Sequence, residues 1–392
     1  MLLSLALIVL LGSALGGAVQ KLKMPALLGM IATGILLGPY SLNLIAPVII
    51  TSSADLRQMA LIIILIRAGL TLDLQNLKKV GRPAFLMCFT PAVFELAAVI
   101  FFAPFFLGLT YLDAAIMGAV LAAVSPAVVI PRMLKLIESG YGQGKSIPQL
   151  IMAGASVDDI FVMVLFTSFI GMRHGGGFDF LSLLKLPVSI ILGLAIGNLG
   201  GLFIIWLCKK IHMRDTVKIL LMLSASFLFV ALEAAVKSYV PVSGLLAAMA
   251  LGATALKKNA ALAGRLSRKF SKLWIGAELI LFVLVGAAVD INYIGNAGML
   301  AACLIFTALI FRVAGVFICL LNTKLNKKER IFCAISYLPK ATVQAAIGGI
   351  PLAMGFESGG IILSVAVLAI IITAPIGAVG IDLSYKKLLE KI

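Results

Sequence analysis

The stretch IPQLIMAGASVDDIFVMVLFTSFIG, residues 147–171, is 25 residues long and carries charge only near its middle. At about 1.5 Å of rise per residue, roughly 20 residues cross a hydrocarbon core, so this run reads as one membrane-spanning helix. Asp158 and Asp159 stand side by side halfway along it. A charge at the bilayer centre costs about 2.5–3.5 kcal/mol on insertion scales, so two adjacent carboxylates there need a counter-ion or a function.

Runs of the same kind recur on both sides. Thirteen apolar segments are read, at about 2–20, 25–43, 53–72, 84–108, 112–136, 147–171, 183–208, 217–236, 241–257, 272–290, 297–321, 330–353 and 359–380. The second is weakened by glycine and the ninth is short. Composition agrees: 62% of the 392 residues are hydrophobic, 12% are charged, and mean hydropathy is +1.16. Soluble domains carry about 25% charged residues, and no long polar stretch remains here for a separate soluble domain. The N-terminal MLLSLALIVLLGSALGGAV lacks the basic stretch that opens a signal peptide and is expected to stay as the first helix.

The formal net charge of +16 does not point to nucleic acid, because the lysines and arginines sit in short loops between apolar runs. They concentrate in alternate loops: Lys21 and Lys23; Lys78, Lys79 and Arg82; Arg132, Lys135 and Lys145; Lys209, Lys210, Arg214 and Lys218. The pattern continues with six basic residues between Lys257 and Lys272, four between Lys324 and Arg330, and the tail lysines 386, 387 and 391. The intervening loops hold only scattered charges such as Arg57, Asp113, Arg173, Lys185 and Lys237. The positive-inside rule then places the N-terminus outside and the C-terminus inside. The five cysteines are odd in number, show no CxxC spacing and are expected to pack as small apolar residues.

Thirteen spans divide into segments 1–6 and 8–13 with segment 7 between them. Equivalent helices are then seven crossings apart, so the two halves must be inverted, a common transporter plan. The fifth segment of each half is interrupted. Segment 5 contains Ser125-Pro126-Ala127-Val128-Val129-Ile130-Pro131, and segment 12 contains Pro339-Lys340-Ala341-Thr342-Val343-Gln344 followed by Gly348 and Gly349. Proline removes a helical hydrogen bond and clashes with the preceding turn. Paired interruptions at corresponding positions point to a midplane site, where Ser125, Pro126, Thr342 and Gln344 stand as candidate ligands.

Seven charges are read as candidates for mid-membrane positions: Arg67, Glu95, Asp158, Asp159, Glu278, Arg312 and Lys340. Neighbours on a helix point about 100° apart, so one of Asp158 and Asp159 can face a cavity while the other meets a fixed cation. Carboxylate oxygens suit a hard cation such as Na⁺. A carboxyl removed from water also favours its protonated form. Competition between H⁺ and Na⁺ for one carboxylate is enough to couple two opposite fluxes. Arg312, in LIFRVAGVF at 309–317, stays charged at any reachable pH and suits a permanent counter-ion. Lys340 can offset a half-helix dipole or, if buried, release its proton. Arg67 is read as a structural or snorkelling charge as readily as a functional one. His174 and His212 are placed in loops. Gly193, Gly197 and Gly201 carry GxxxG spacing, which predicts a close helix contact in segment 7.

The Asp-Asp pair, SPAVVIP and PKATVQA together resemble cation/proton antiporters of the NhaA/NapA fold, in particular the animal-type NHA branch and its bacterial relatives. LKMPALLGMIATGILLGP, RAGLTLDL, GYGQGKSIPQLIMAGASVDDI and YLPKATVQA carry the resemblance along nearly the whole chain. It implies an all-α membrane protein of thirteen helices, N-out and C-in, as a single transporter unit over 1–392. Its implied parts are an ion-binding core over about 84–171 and 297–380, a dimerisation part over about 1–72 and 217–290, and a linker helix over about 183–208. It implies that segments 5 and 12 cross at unwound stretches, with Na⁺ or Li⁺ on Asp159 and Asp158 beside it. It also implies a homodimer with an elevator-like core in a cell membrane, without cofactor or enzymatic activity. Electrogenic bacterial members carry lysine where this chain has Arg312, so exchange with fewer protons per ion is expected, electroneutral in the limit, with Glu95 as the arginine's partner. A sodium-coupled symporter of an organic anion shares the fold and is the alternative, although a site for it needs no mid-helix Asp-Asp. An intramembrane aspartyl protease needs aspartates facing each other from two helices. Two carboxylates beside fixed cations suggest a discrete site more than a passive pore.

Overall fold

The structure, a computed structural model, describes residues 1–22, 24–71, 81–174, 180–236, 240, 242–289 and 291–391. Its regular elements are all helical: α1 Leu2–Lys21, α2 Leu27–Leu37, α3 Pro47–Thr51, α4 Ser53–Thr71, α5 Arg82–Met87, α6 Thr90–Leu107, α7 Tyr111–Leu121, α8 Pro126–Glu138 and α9 Ile147–His174. They continue with α10 Phe180–Lys210, α11 Asp215–Val236, α12 Gly244–Lys258, α13 Ala260–Ala287, α14 Ile291–Cys319, α15 Lys327–Ser336, α16 Thr342–Ile347, α17 Ile350–Ala353 and α18 Gly359–Leu388. In lipid every backbone group must be satisfied within the protein, and a helix does this inside a single segment, which makes it the default for such runs.

Among the described residues nine helical stretches are long and apolar enough to cross a membrane. The remaining runs are short or interrupted. The weak second segment forms an 11-residue helix and the ninth a 15-residue helix. Leu10, Phe105, Leu228 and Ile310 are among many large apolar side chains left exposed, which suits a lipid solvent and not water. Lys23, Leu72, Asp73, Leu74, Lys78, Lys79 and Lys237 lie outside the described residues. Several residues read as loop charges lie in helices instead. Helix α9 runs on to include Arg173 and His174, α10 begins at Phe180 and takes in Lys185, and α4 and α7 take in Arg57 and Asp113. Among the basic residues, Arg132 and Lys135 lie in α8, Lys209 and Lys210 in α10, Arg265, Arg268, Lys269 and Lys272 in α13, and Lys327, Lys328 and Arg330 in α15. The helices continue past the apolar runs that define them, where long basic side chains can reach polar surroundings. His212 does lie in a loop and is exposed.

The chain forms two compact units. One comprises Met1–Ala54, Asp73–Phe169 and Leu279–Ile392, the other Asp55–Leu72 and Ile170–Glu278. In the second unit α10 packs closely on α12 through the GxxxG face. A Cβ on Gly193 would stand 2.6 Å from the Ser243 carbonyl, and one on Gly201 would stand 2.8 Å from Thr254 Cβ. Ile62, Ile66, Leu251, Leu266 and Phe270 fill the core beside that contact.

In the first unit α6 lies along α14, and α18 packs on both α14 and α15. A buried apolar cluster joins Met133, Ile151, Ala155, Val316, Phe332 and Tyr337. Cys319 and Cys333 are buried among these apolar residues as free thiols, and Cys88 is a further buried free thiol. Proline positions explain the interruptions. Pro91 sits in the first turn of α6, where its ring excludes a continuous helix from α5. Pro126 forces Ser125 into an extended conformation (φ −86°, ψ 108°), so α7 stops before it and α8 starts on it. Pro131, by contrast, stays inside α8.

The loop between α8 and α9 is tied to the chain's end. Gly142 N donates to the Glu390 carbonyl at 2.8 Å, and the Tyr141 and Tyr385 rings meet edge to face at 4.9 Å. Glu329 closes a capping box with Asn326 at the start of α15 and accepts Lys145 Nζ at 2.9 Å on both oxygens. That hydrogen bond, more than charge attraction, holds the Lys145 ammonium above the ordinary lysine range. A raised lysine contributes stability below its ordinary range and loses it as pH climbs through the raised one. Glu329→Gln keeps the cap but removes the charge. Its thermal destabilisation is therefore expected at pH 8 and should shrink as the solution is brought to strongly alkaline pH. A deficit that stays constant with pH would mean the ion pair does not contribute.

Candidate ion-exchange site

The ends of interrupted helices leave backbone groups without helical partners, and inside a membrane each must be satisfied by something else. At the end of α7 the carbonyls of Val120, Leu121, Ala122 and Ala123 are such groups. Gln344 Nε2 donates to Val120 at 3.1 Å, Leu121 at 3.3 Å and Ala123 at 2.9 Å. Lys340 Nζ donates to the Leu121 carbonyl at 2.6 Å, and Arg312 Nη1 donates to that of Ala122. Two cations and an amide thus cover the negative end of this half-helix, where positive charge is favoured.

The amide side of the same break is closed differently. Val124 N donates to Asp158 Oδ2 at 2.8 Å, and Ser125 N donates to the Pro339 carbonyl at 2.7 Å. The second bond ties the break in segment 5 directly to the break in segment 12. At that second break α15 ends, and the Tyr337 carbonyl accepts Arg312 Nε at 2.6 Å. Lys340 N donates to Thr373 Oγ1 on α18 at 3.0 Å, which fixes the unwound stretch.

Four charged side chains complete the cluster. Arg312 Nη1 reaches Glu95 Oε2 at 2.8 Å, and Arg312 Nη2 reaches Asp158 Oδ2 at 3.0 Å. Lys340 Nζ reaches Glu95 Oε1 at 2.7 Å and Oε2 at 2.8 Å. All four residues are buried, with at most 1% exposure. Two negative and two positive charges cancel. Asp159, the neighbour of Asp158, is half-buried, and among the described residues no cation pairs with it.

Several buried oxygens at the crossing have no hydrogen-bond partner among the described residues: Asp158 Oδ1, Asp159 Oδ1, Ser125 Oγ, Thr342 Oγ1 and Gln344 Oε1. An all-oxygen donor set suits a hard cation. Asp158, Ser125 and Gln344 are each tied within hydrogen-bond reach of residues 123–125, so three of these oxygens come from side chains or residues anchored at one break. Pro126 contributes by conformation, because it ends α7 and starts α8.

The sequence-predicted residues Glu95, Ser125, Asp158, Arg312, Lys340 and Gln344 therefore meet in the first unit. Arg67 belongs to the second unit, where it lies half-buried and the Glu278 carboxylate acts on it. Its position late in an apolar run gave no means of telling the two cases apart. Tyr337, Thr373 and the carbonyls at 120–123 were not foreseen. Backbone groups carry no residue signature, and the only available hint was proline beside a charged residue.

Removing one partner of a buried charge cluster leaves an uncompensated charge. Glu95→Gln removes the negative charge that Arg312 and Lys340 share and replaces one acceptor oxygen by a donor, and it is expected to cost about 3–5 kcal/mol of stability. The Arg132–Asp382 pair, at 3.2 Å with Asp382 45% exposed, is the comparison, since an exposed pair contributes only about 0–1 kcal/mol. Thermal melts of Glu95→Gln and Arg132→Gln in detergent should separate clearly. Equal losses would show that the cluster is not what holds the crossing.

Over residues 5–383 the chain matches the family described as "Sodium/hydrogen exchanger, transmembrane". Sodium/hydrogen exchanger 9B2 of Mus musculus is 34% identical over 385 residues, covering 94% of this chain and 69% of the mouse protein. Human sodium/hydrogen exchanger 9B1 is 30% identical over 404 residues, covering 98% of this chain and 78% of its own length. The solved structure of the sodium proton antiporter MjNhaP1 from Methanocaldococcus jannaschii at pH 8 superposes with a TM-score of 0.83, covering 98% of this chain and 97% of that one; at 20% identity it speaks for the fold. The chain is a multi-pass membrane protein and belongs to the transmembrane sodium/hydrogen exchanger family.

Proposed function

We propose that this protein exchanges Na⁺ or Li⁺ for H⁺ across the cell membrane by alternating access, with Asp159 as the carboxylate both cargoes share. The observation that carries this reading is the charge count at the crossing: Glu95, Asp158, Arg312 and Lys340 cancel one another, and Asp159 is left over. A lone carboxylate in a desolvated site is stabilised by taking up either one proton or one monovalent cation, and the two compete. Asp158 shares the site but is held by Arg312 Nη2 and Val124 N, so its role is to shape the site. Ser125, Thr342 and Gln344 supply further oxygens to the cation.

Stoichiometry follows from the same count. With H⁺ or Na⁺ on Asp159, the five groups carry no net charge in either case. Arg312 cannot release a proton, and Lys340 is engaged with Glu95 on both oxygens. One-for-one, electroneutral exchange is the expected outcome. An organic-anion symporter is disfavoured, because both buried cations are spent on carboxylates and helix-end carbonyls. No cofactor is needed for competition at a carboxylate.

The architecture we assign is thirteen spans with the N-terminus outside, an inverted repeat of six helices, and a homodimer with an elevator-like core. The core is taken as about 84–171 and 297–380, the dimerisation part as about 1–72 and 217–290, and the linker as about 183–208. One compact unit holds nearly all of both core stretches, within Asp73–Phe169 and Leu279–Ile392, together with Met1–Ala54 of the part assigned to dimerisation.

Reconstitution with an internal pH dye tests the function. Na⁺ or Li⁺ gradients should drive proton movement, and Asp159→Asn should abolish it. Full activity in Asp159→Asn would place the site elsewhere. An imposed membrane potential should leave the exchange rate unchanged; a strong dependence would refute the one-for-one count.

A further inference from the structure

Tyr337 stands at the crossing but has no part in the exchange proposed above. Besides giving its carbonyl to Arg312, it lays its ring against the guanidinium, with 5.5 Å from Cζ to the ring centroid. The side chain is fully buried, yet Oη has no hydrogen-bond partner among the described residues. Such a group in a native protein needs an explanation, because losing water without gaining a partner is costly.

The phenol tip rests on α9. A Cβ added at Gly154 would run into Tyr337 Oη and stand 3.0 Å from Met87 Cβ, so only glycine leaves room for the hydroxyl. Gly154 and Asp158 are four residues apart on one face of that helix, neighbours at about 5–6 Å. Helical side chains lean toward the N-terminus, so the Asp158 carboxyl leans toward the turn on which the hydroxyl lies. Asp158 Oδ2 already holds Val124 N and Arg312 Nη2, while Oδ1 is buried without a partner. One orphaned atom is an O–H donor and the other accepts only. A separation of one helical turn suits a single bridging water, which needs at least two polar partners.

We propose that Tyr337 Oη donates through one buried water to Asp158 Oδ1, which makes Tyr337 a positioning residue of the exchange site. The bridge fixes the Asp158 carboxylate toward Arg312 and Val124 and leaves the cargo to Asp159. Its effect on transport rests on the exchange reading above, whereas the bridge itself rests on geometry alone.

Tyr337→Phe in the full-length protein keeps the ring and removes only the hydroxyl. A bridged hydroxyl predicts a lower melting temperature, and an apparent KM for Na⁺ raised about fivefold with little change in maximal rate. A raised or unchanged melting temperature would overturn the bridge, since it would show that an orphaned group had been removed. A lower melting temperature with an unchanged KM would overturn the positioning role. Gly154→Ala, which pushes on Oη, should lower the melting temperature, and Tyr337→Phe in that background should restore part of it; no restoration would overturn the contact. If Tyr337→Phe alone does not fold, the KM is read in the double variant, with the same rise expected and an unchanged value refuting the role. Exchange retained by Asp159→Asn would refute the exchange reading and leave the melting results standing.

Discussion

Arg312 is a permanent charge with no exposed surface, and the crossing is organised around satisfying it. Its nitrogens reach two carboxylates, Glu95 and Asp158, and two carbonyls at helix ends, those of Ala122 and Tyr337. Those carbonyls are free only because α7 and α15 stop where they do. The breaks and the arginine therefore require each other. A continuous segment 5 would leave the guanidinium short of acceptors, and a neutral residue at 312 would leave two helix ends and two acids uncompensated. Burying an ion is unfavourable unless geometry and hydrogen bonds are nearly complete, and here they extend over α6, α9, α14 and both breaks.

Lys340 extends the arrangement without duplicating it. Its ammonium joins the second Glu95 oxygen to the Leu121 carbonyl, so Glu95 serves as common acceptor for both cations. The cluster is electrically closed by these four residues. Asp159, one residue from Asp158 but turned about 100° away, escapes closure because of helical geometry alone. A fixed neutral framework beside one free carboxylate separates structure from exchange. In the proposed exchange the framework stays charged and paired, and the free group changes occupant.

The scaffold places little chemistry outside this region. The second unit contributes close helix packing, in which Gly193, Gly197 and Gly201 admit α12 to backbone distance. Arg67 and Glu278 answer each other there. The tail, through Glu390 and the Tyr141–Tyr385 contact, braces the loop from which α9 rises, so the helix that carries both aspartates is anchored at its start as well as at its centre.

Much of this was legible in the residues. Apolar run lengths set the helical membrane fold, loop lysines suggested orientation, and proline positions marked both interruptions. A charge in mid-membrane is costly enough that Glu95, Asp158, Asp159, Arg312 and Lys340 declared themselves by their surroundings. The residues alone named the charges that must be compensated, because insertion cost depends on residue type and depth. Folding settled who compensates whom. It paired Arg312 with Asp158, gave Glu95 to both cations and brought Tyr337 onto Gly154. The family resemblance pointed to Glu95 as a partner of Arg312, and the two meet at 2.8 Å. The other pairings depend on contacts between residues as far apart in sequence as 95 and 340, and on backbone carbonyls that every residue carries alike, so the order of side chains did not announce them.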